Sequence, residues 1–231
     1  MILGSNQVPS MLLRPSAAAS QALRSAAIGR PARPIILFDV MGVLIQDPFY
    51  THMAAYFGME FQQLLDQKHP SAWVEFERGE ISEEEFFTKF FKDGRRFDGE
   101  GLVETMKNAY DYIDGMPELL DALGETGYQL HTFSNYPNWH RHIEEKLKLS
   151  NYLEWTFVSC QGPMKGLRKP QPEAFATAIK YLGRPAEELI FIDDREENVA
   201  AATAAGMQAL HFTGPEQLKA AFRQRGILID E

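Results

Sequence analysis

The stretch Ile35-Ile36-Leu37-Phe38-Asp39-Val40-Met41-Gly42-Val43-Leu44 decides the reading of this chain. Four apolar residues in a row suit a buried strand. A carboxylate then closes the run, and a glycine follows three residues later. A charge at that place is costly unless it is paired or holds a metal. A second run, Leu189-Ile190-Phe191-Ile192, ends the same way, in Asp193-Asp194. Two strands that deliver three carboxylates point to one shared site.

From Pro34 onward, strand-like runs alternate with amphipathic segments. Strands are predicted over Ile35–Val40, Tyr128–Phe133, Trp155–Ser159, Leu189–Ile192 and Gln208–Phe212. Helices are predicted over Pro117–Thr126, Pro137–Leu147, Gln171–Leu182, Glu196–Ala205 and Pro215–Arg225. Strands separated by helices read as βαβ units with right-handed connections. The expected fold is therefore α/β, a Rossmann-like three-layer sandwich around a parallel five-stranded sheet. One segment breaks the rhythm, a helix-like insertion from Asp47 to Tyr112. Within it Ser82 and Glu85 have capping-box spacing. Phe86, Phe87, Phe90 and Phe91 share one broad helical face and are read as the core of a small bundle. Stacking of one of them on a substrate is the alternative.

The chain has 231 residues, 45% of them hydrophobic, which suits a globular chain with a sizeable core. No apolar stretch approaches the length of a bilayer span, so a soluble protein without a membrane partner is expected. Formal net charge is -9. All four basic residues before Asp39 are arginines (Arg14, Arg24, Arg30 and Arg33), and no acid precedes Asp39, so the rest carries 19 basic and 32 acidic residues. Such an acidic body argues against nucleic acid as a partner. An anionic substrate would need a local positive site. A single cysteine, Cys160, excludes an intrachain disulfide and reads as a small buried apolar residue.

Residues 1–33 are different material, rich in Ala, Ser, Arg and Leu over Met11 to Arg33. That is the composition of an organelle transit peptide rather than a secretory signal. The leader leans to chloroplast, with mitochondrion as the alternative; a tail without an address is the plain reading.

Ligands of open parallel sheets bind beyond the carboxyl ends of the strands. Asp39 follows the first strand, Ser134-Asn135 the second, and Asp193-Asp194 the fourth, with Asn198 close behind. Lys169 lies just before a helix. The strings Gly166-Leu167-Arg168-Lys169-Pro170-Gln171-Pro172-Glu173 and Ile192-Asp193-Asp194-Arg195-Glu196-Glu197-Asn198-Val199 resemble the haloacid dehalogenase-like hydrolase superfamily. The likeness covers nearly all of Pro34 to Arg225. The insertion resembles that family's helical cap of the first type, which would divide the chain into a core (34–46 and 113–231) and a cap (47–112).

The resemblance implies hydrolysis of a small phosphorylated metabolite through an aspartyl-phosphate. Asp39 would be the nucleophile. Mg²⁺ would be the cofactor, held by Asp39, by Asp194, by Asp193 either directly or through orientation, and by the backbone carbonyl of Met41. Ser134 and Lys169 would bind the phosphoryl group, with backbone N–H groups near Met41 and Gly42 and that of Asn135 completing the cradle. Asn198 would support the fold.

Met41 departs from the family pattern, which places an Asp there to protonate the leaving alkoxide. General acid–base catalysis contributes roughly 10²- to 10⁴-fold, so three readings follow. In the first, a phosphatase draws its proton elsewhere; Asp47 is the first candidate, with Tyr50 and His52 nearby, and its plain reading is a cap for the helix that begins at Pro48. In the second, the fold binds phosphate without turnover. In the third, a metal-free dehalogenase, Asp193-Asp194 would be out of place. The strings Phe38-Asp39-Val40-Met41 and Asp47-Pro48-Phe49-Tyr50 also resemble a plant and algal organelle-targeted branch. That branch implies flavin mononucleotide as a candidate substrate, with sugar phosphates and other nucleotides open. His140 and His142 are two apart on a helix and make no metal pair. Trp139 and Trp155 read as packing residues.

Overall fold

The computed structural model describes residues 33–227; the leader expected ahead of them lies outside the described residues. Strands β1 (Ile35–Phe38), β2 (Leu130–Ser134), β3 (Glu154–Val158), β4 (Leu189–Asp193) and β5 (Gln208–His211) form one parallel sheet in the order β3-β2-β1-β4-β5. Between β1 and β2 come a π-helical turn, Phe49–Met53, and α1 (Ala54–Tyr56), α2 (Phe61–Gln67), α3 (Ala72–Glu77), α4 (Glu83–Lys89), α5 (Gly99–Ala109) and α6 (Met116–Thr126). Helix α7 (His140–Leu147) joins β2 to β3, α8 (Pro172–Leu182) joins β3 to β4, α9 (Glu196–Ala204) joins β4 to β5, and α10 (Pro215–Gln224) follows β5. No helix among the described residues is long and apolar enough to cross a membrane.

Side chains alternate across a strand, and β1 is apolar at every position because both its faces are covered. Ile36 and Phe38 join an apolar layer with Leu119, Leu120, Ile143, Leu218 and Phe222, from α6, α7 and α10. Ile35 and Leu37 join a second layer with Phe175 of α8 and Ala202 of α9. The three layers are thus helices, sheet, helices, as the strand and helix rhythm predicts. Helix α8 shows the expected punctuation: Pro172 at its first turn and Gly183 in the left-handed region just past its end.

The insertion is helical, but its helices are shorter than the spacing suggests. The capping box forms: Ser82 Oγ accepts the Glu85 N–H at 3.2 Å, and the Glu85 carboxylate accepts the Ser82 N–H at 2.7 Å. Helix α4 nevertheless stops at Lys89. The Phe90 carbonyl accepts the His69 N–H at 2.7 Å, and the Lys92 N–H donates to the Gln67 carbonyl at 3.0 Å. These bonds form an antiparallel bridge between Lys68 and Phe91 in place of another helical turn. Phe86, Phe90 and Phe91 are buried all the same, and Phe87 packs edge-on against Phe97. All four therefore serve the aromatic core.

Two attachments hold the insertion to the sheet. At its base the outgoing and returning chains pair: the Gln46 N–H donates to the Asp111 carbonyl at 2.9 Å and the Ile113 N–H to the Leu44 carbonyl at 3.0 Å. The second attachment is Trp139, which precedes α7. It is fully buried, with ring centroids 5.9, 5.4 and 5.8 Å from Trp73, Phe76 and Phe86 of the insertion. Its indole N–H donates to Glu83. Beside it, Ser159 Oγ donates to the Glu77 carbonyl at 2.5 Å. Cys160, expected to be buried, is only partly so; burial still pushes its thiol up to about 11.

Trp139→Ala should lower stability by about 3–5 kcal/mol through the cavity it leaves, read as a shifted urea midpoint; a loss below about 1 kcal/mol would refute its anchoring role. Ser82→Ala should cost about 1 kcal/mol, in the same measurement.

Candidate active site

The connections turn in opposite directions from β1, so the crevice at the carboxyl ends of β1 and β4 is the topological switch point. Phe38 lies beside Ile192 in the sheet register, and the Asp39 N–H donates to the Ile192 carbonyl at 2.9 Å. Asp39 and Asp193 therefore leave adjacent strands side by side. Lys169 answers them from the loop before α8. Only 1% exposed, it places Nζ 2.5 Å from Asp193 Oδ2 and 3.1 Å from Asp39 Oδ1. Its ammonium also lies over the rings of Phe133 and Phe191, at 5.6 and 5.2 Å.

Asp193 is saturated. Its Oδ1 accepts the Arg195 N–H at 2.9 Å, and Asn198 Nδ2 donates to both oxygens at 2.9 and 3.0 Å. Of the two roles open to it, orientation fits and direct metal ligation does not, because Lys169 and Asn198 already occupy its lone pairs. Asn198 supports the site as expected. Asp39 is only half engaged: Oδ1 takes the Val40 N–H at 2.7 Å and Lys169, while Oδ2 has no partner among the described residues. One oxygen from each of Asp39, Asp193 and Asp194 lies within 4.8 Å of the others.

The electrostatics follow from one lysine facing three carboxylates. Burial, with Asp193 and Asp194 beside it, pushes Asp39 up to about 7 against the pull of Lys169. Burial and Asp193 also raise Asp194. For Lys169, burial pulls its pKa down, but Asp193 and Asp39 outweigh that and hold it above the ordinary lysine value.

After Asp39 the chain folds tightly. The Val40 carbonyl accepts the N–H groups of Leu44 and Ile45, and the Gly42 N–H donates to the Ile45 carbonyl at 2.8 Å. Gly42 thus has its N–H engaged within the turn. Its φ is +77°, and a Cβ there would sit 2.7 Å from Asp194 Oδ2, so its absent side chain makes room for that carboxylate. The N–H and carbonyl of Met41 take no part in the turn's hydrogen bonds.

Ser134 ends β2 fully buried, and its Oγ has no hydrogen-bond partner among the described residues. The Asn135 side chain clamps the backbone of Lys169: Oδ1 accepts its N–H at 2.8 Å and Nδ2 donates to its carbonyl at 2.9 Å. Asp47 accepts the Phe49 N–H on Oδ1 at 2.9 Å, although Pro48 and not Asp47 is the N-cap of the turn that follows. It also lines the cavity with Asp39, Met41 and Asp194. Burial raises its pKa, against the Phe49 N–H and Arg195. The Tyr50 hydroxyl accepts from Arg195 Nη2 at 3.0 Å. His52 is exposed, pairs with Thr51, and does not line the cavity.

That cavity has a volume of about 380 Å³. Its far wall comes from the insertion, through Phe49, Phe61, Leu65, Lys68, Trp73 and Glu77. The sequence reading missed Arg168, whose Nη2 donates to the buried Glu77 carboxylate at 3.0 Å across the cavity. Separated by 91 positions, the two carry no local signal that they meet.

The family model of the haloacid dehalogenase-like hydrolases matches residues 34–206. The chain belongs to this family. It is 49% identical over 194 residues, 84% of this chain and 78% of the relative, to a chloroplastic flavin mononucleotide hydrolase of Arabidopsis thaliana. A sesquiterpene phosphatase of Aspergillus oryzae is 30% identical over 146 residues, 61% of this chain and 72% of the relative. A haloacid dehalogenase family enzyme of Bacteroides thetaiotaomicron, solved as its magnesium complex, shares the fold at a TM-score of 0.69 and 24% identity, over 84% of this chain and 100% of that one.

In this haloacid dehalogenase-like hydrolase the donor set suits a hard divalent cation. Asp194 has no ion-pair partner within 4 Å among the described residues, and the Met41 carbonyl is open. Both are hard oxygen donors of the kind such a cation takes. Millimolar Mg²⁺ should therefore raise the melting temperature, by about 2.7 kcal/mol of stability at 100 times its Kd. Asp194→Asn should lose that increment, yet be at least as stable as the parent without metal, because one like charge is gone. Equal Mg²⁺ shifts in both proteins would remove Asp194 from the site.

Proposed function

We propose that the chain is a Mg²⁺-dependent phosphomonoesterase that hydrolyses flavin mononucleotide through an aspartyl-phosphate, in the chloroplast. One observation carries this: Asp39, with Lys169 beside its Oδ1 and Oδ2 unpartnered among the described residues, lines a cavity walled by aromatic rings. The 49% identity to a flavin mononucleotide hydrolase supports the substrate, and that relative's chloroplastic name supports the location. The acid-free, arginine-bearing leader agrees with such an address. Residues 47–112 serve as the cap over a core formed by 34–46 and 113–231.

Asp39 Oδ2 attacks phosphorus as the bond to the flavin-bearing oxygen breaks. The Ser134 hydroxyl, buried without a partner, and the open Met41 N–H donate to the phosphoryl oxygens. Lys169 faces the same group and is kept charged by Asp193. Asn135 and Asn198 hold Lys169 and Asp193 in place and are positioning residues. Asp39, Asp194 and the Met41 carbonyl would hold Mg²⁺, which would supply positive charge to the site. Asp47 gives its proton to the leaving alkoxide, then takes one from the water that cleaves the acyl phosphate. Its raised pKa keeps it protonated further up the pH scale than an ordinary aspartate.

Asp39→Asn should abolish phosphate release from flavin mononucleotide; release from the parent no faster than from this variant would remove the enzyme reading and leave a phosphate-binding protein. Asp47→Asn should slow alkyl phosphates roughly 10²-fold or more and aryl phosphates much less, because aryloxide needs no proton. Met41→Asp should favour alkyl phosphates in turn; equal effects on alkyl and aryl esters in both variants would exclude Asp47 as the acid.

A further inference from the structure

The cavity has two electrostatic ends. Asp39 feels burial first, then Lys169, Asp193 and Asp194. Lys68, on the insertion wall, feels burial first, then Glu77 and Lys92, and none of the three site carboxylates. Lys68 is half-buried, lines the cavity beside Phe61 and Trp73, and its ammonium has no hydrogen bond or ion pair among the described residues. Its neighbour Glu77 makes no hydrogen bond to it: Oε1 accepts from Trp73 Nε1 at 2.5 Å and Oε2 from Arg168 Nη2 at 3.0 Å. Arg168 brings a second unsatisfied donor, a buried Nε without a partner. A half-buried ammonium with no protein acceptor is an unfavourable arrangement unless an acceptor arrives with the ligand. The buried Glu77 carboxylate close by weighs against a second phosphate and favours a neutral acceptor.

Resting on the phosphomonoesterase reading above, we infer that Lys68 is a specificity-determining residue. Its ammonium donates to a ring carbonyl or ring nitrogen on the heteroaromatic body of the substrate, while the phosphoryl group sits on Asp39. The flavin ring system presents such acceptors on its pyrimidine edge. The aromatic wall from Phe49 to Trp73 covers its faces, and Lys68 reads its edge.

Lys68→Met should lower kcat/KM for flavin mononucleotide roughly 10- to 100-fold, mostly through KM. That loss should exceed the loss on ring-free ribose 5-phosphate by at least about tenfold, and Lys68→Arg should restore part of it. Riboflavin titrated by its fluorescence into Asp39→Asn should bind more weakly by the same factor once Lys68→Met is added. Equal losses on both esters, or an unchanged riboflavin Kd, would overturn the role of Lys68 and leave the phosphatase reading standing. If the parent neither binds nor cleaves flavin mononucleotide, the flavin reading fails by itself. The same Lys68→Met ratio, taken between uridine or adenosine monophosphate and ribose 5-phosphate, then decides the inference: a ring-selective loss upholds it and an even loss sinks it.

Discussion

The buried contact between Lys169 and Asp193 is the constraint on which the site rests. Neither group would be tolerated alone at that depth, since an unpaired buried charge costs several kcal/mol. Together they are stable because each is satisfied further: Asp193 by Asn198 and the Arg195 N–H, Lys169 by Asp39 and two aromatic faces. The pair fixes the height of the ammonium above the sheet edge. It thereby leaves Asp39 one oxygen committed and one oxygen free. A carboxylate so placed is directed rather than merely exposed.

That one lysine cannot balance three carboxylates is equally consequential. Asp39 and Asp194 both sit above the ordinary carboxylate range, with burial as the larger cause and their neighbours adding to it. A divalent cation reverses the sign of that local field. The overall negative charge of the chain leaves the compensation to nearby groups, Lys169 for Asp39 and both Lys169 and Arg195 for Asp194.

Much of this was legible in the sequence because parallel strands buried on both faces are nearly continuous apolar runs, and each of the five runs became a strand. The polar residues at their carboxyl ends were legible for the same reason. What stayed hidden depends on contacts that local pattern does not encode. The spent N–H of Gly42 depends on a carbonyl three residues on. The Asn135 side chain acts on a backbone 34 positions away, and Glu77 meets Arg168 across 91. Helix α4 stops early because the strand-like bridge at Phe91 takes hydrogen bonds that a helical period would assign elsewhere. His52 reads as a neighbour of Asp47 in sequence, yet the π-helical turn leaves it exposed.

Trp139 belongs by sequence to the sheet-bearing half and by packing to the inserted half. Its ring fills space among Trp73, Phe76 and Phe86 that the insertion's own residues do not. The insertion is thus not an interchangeable module. An insertion grafted from a relative would meet a protruding indole shaped for another interior, and this insertion moved elsewhere would carry a hole.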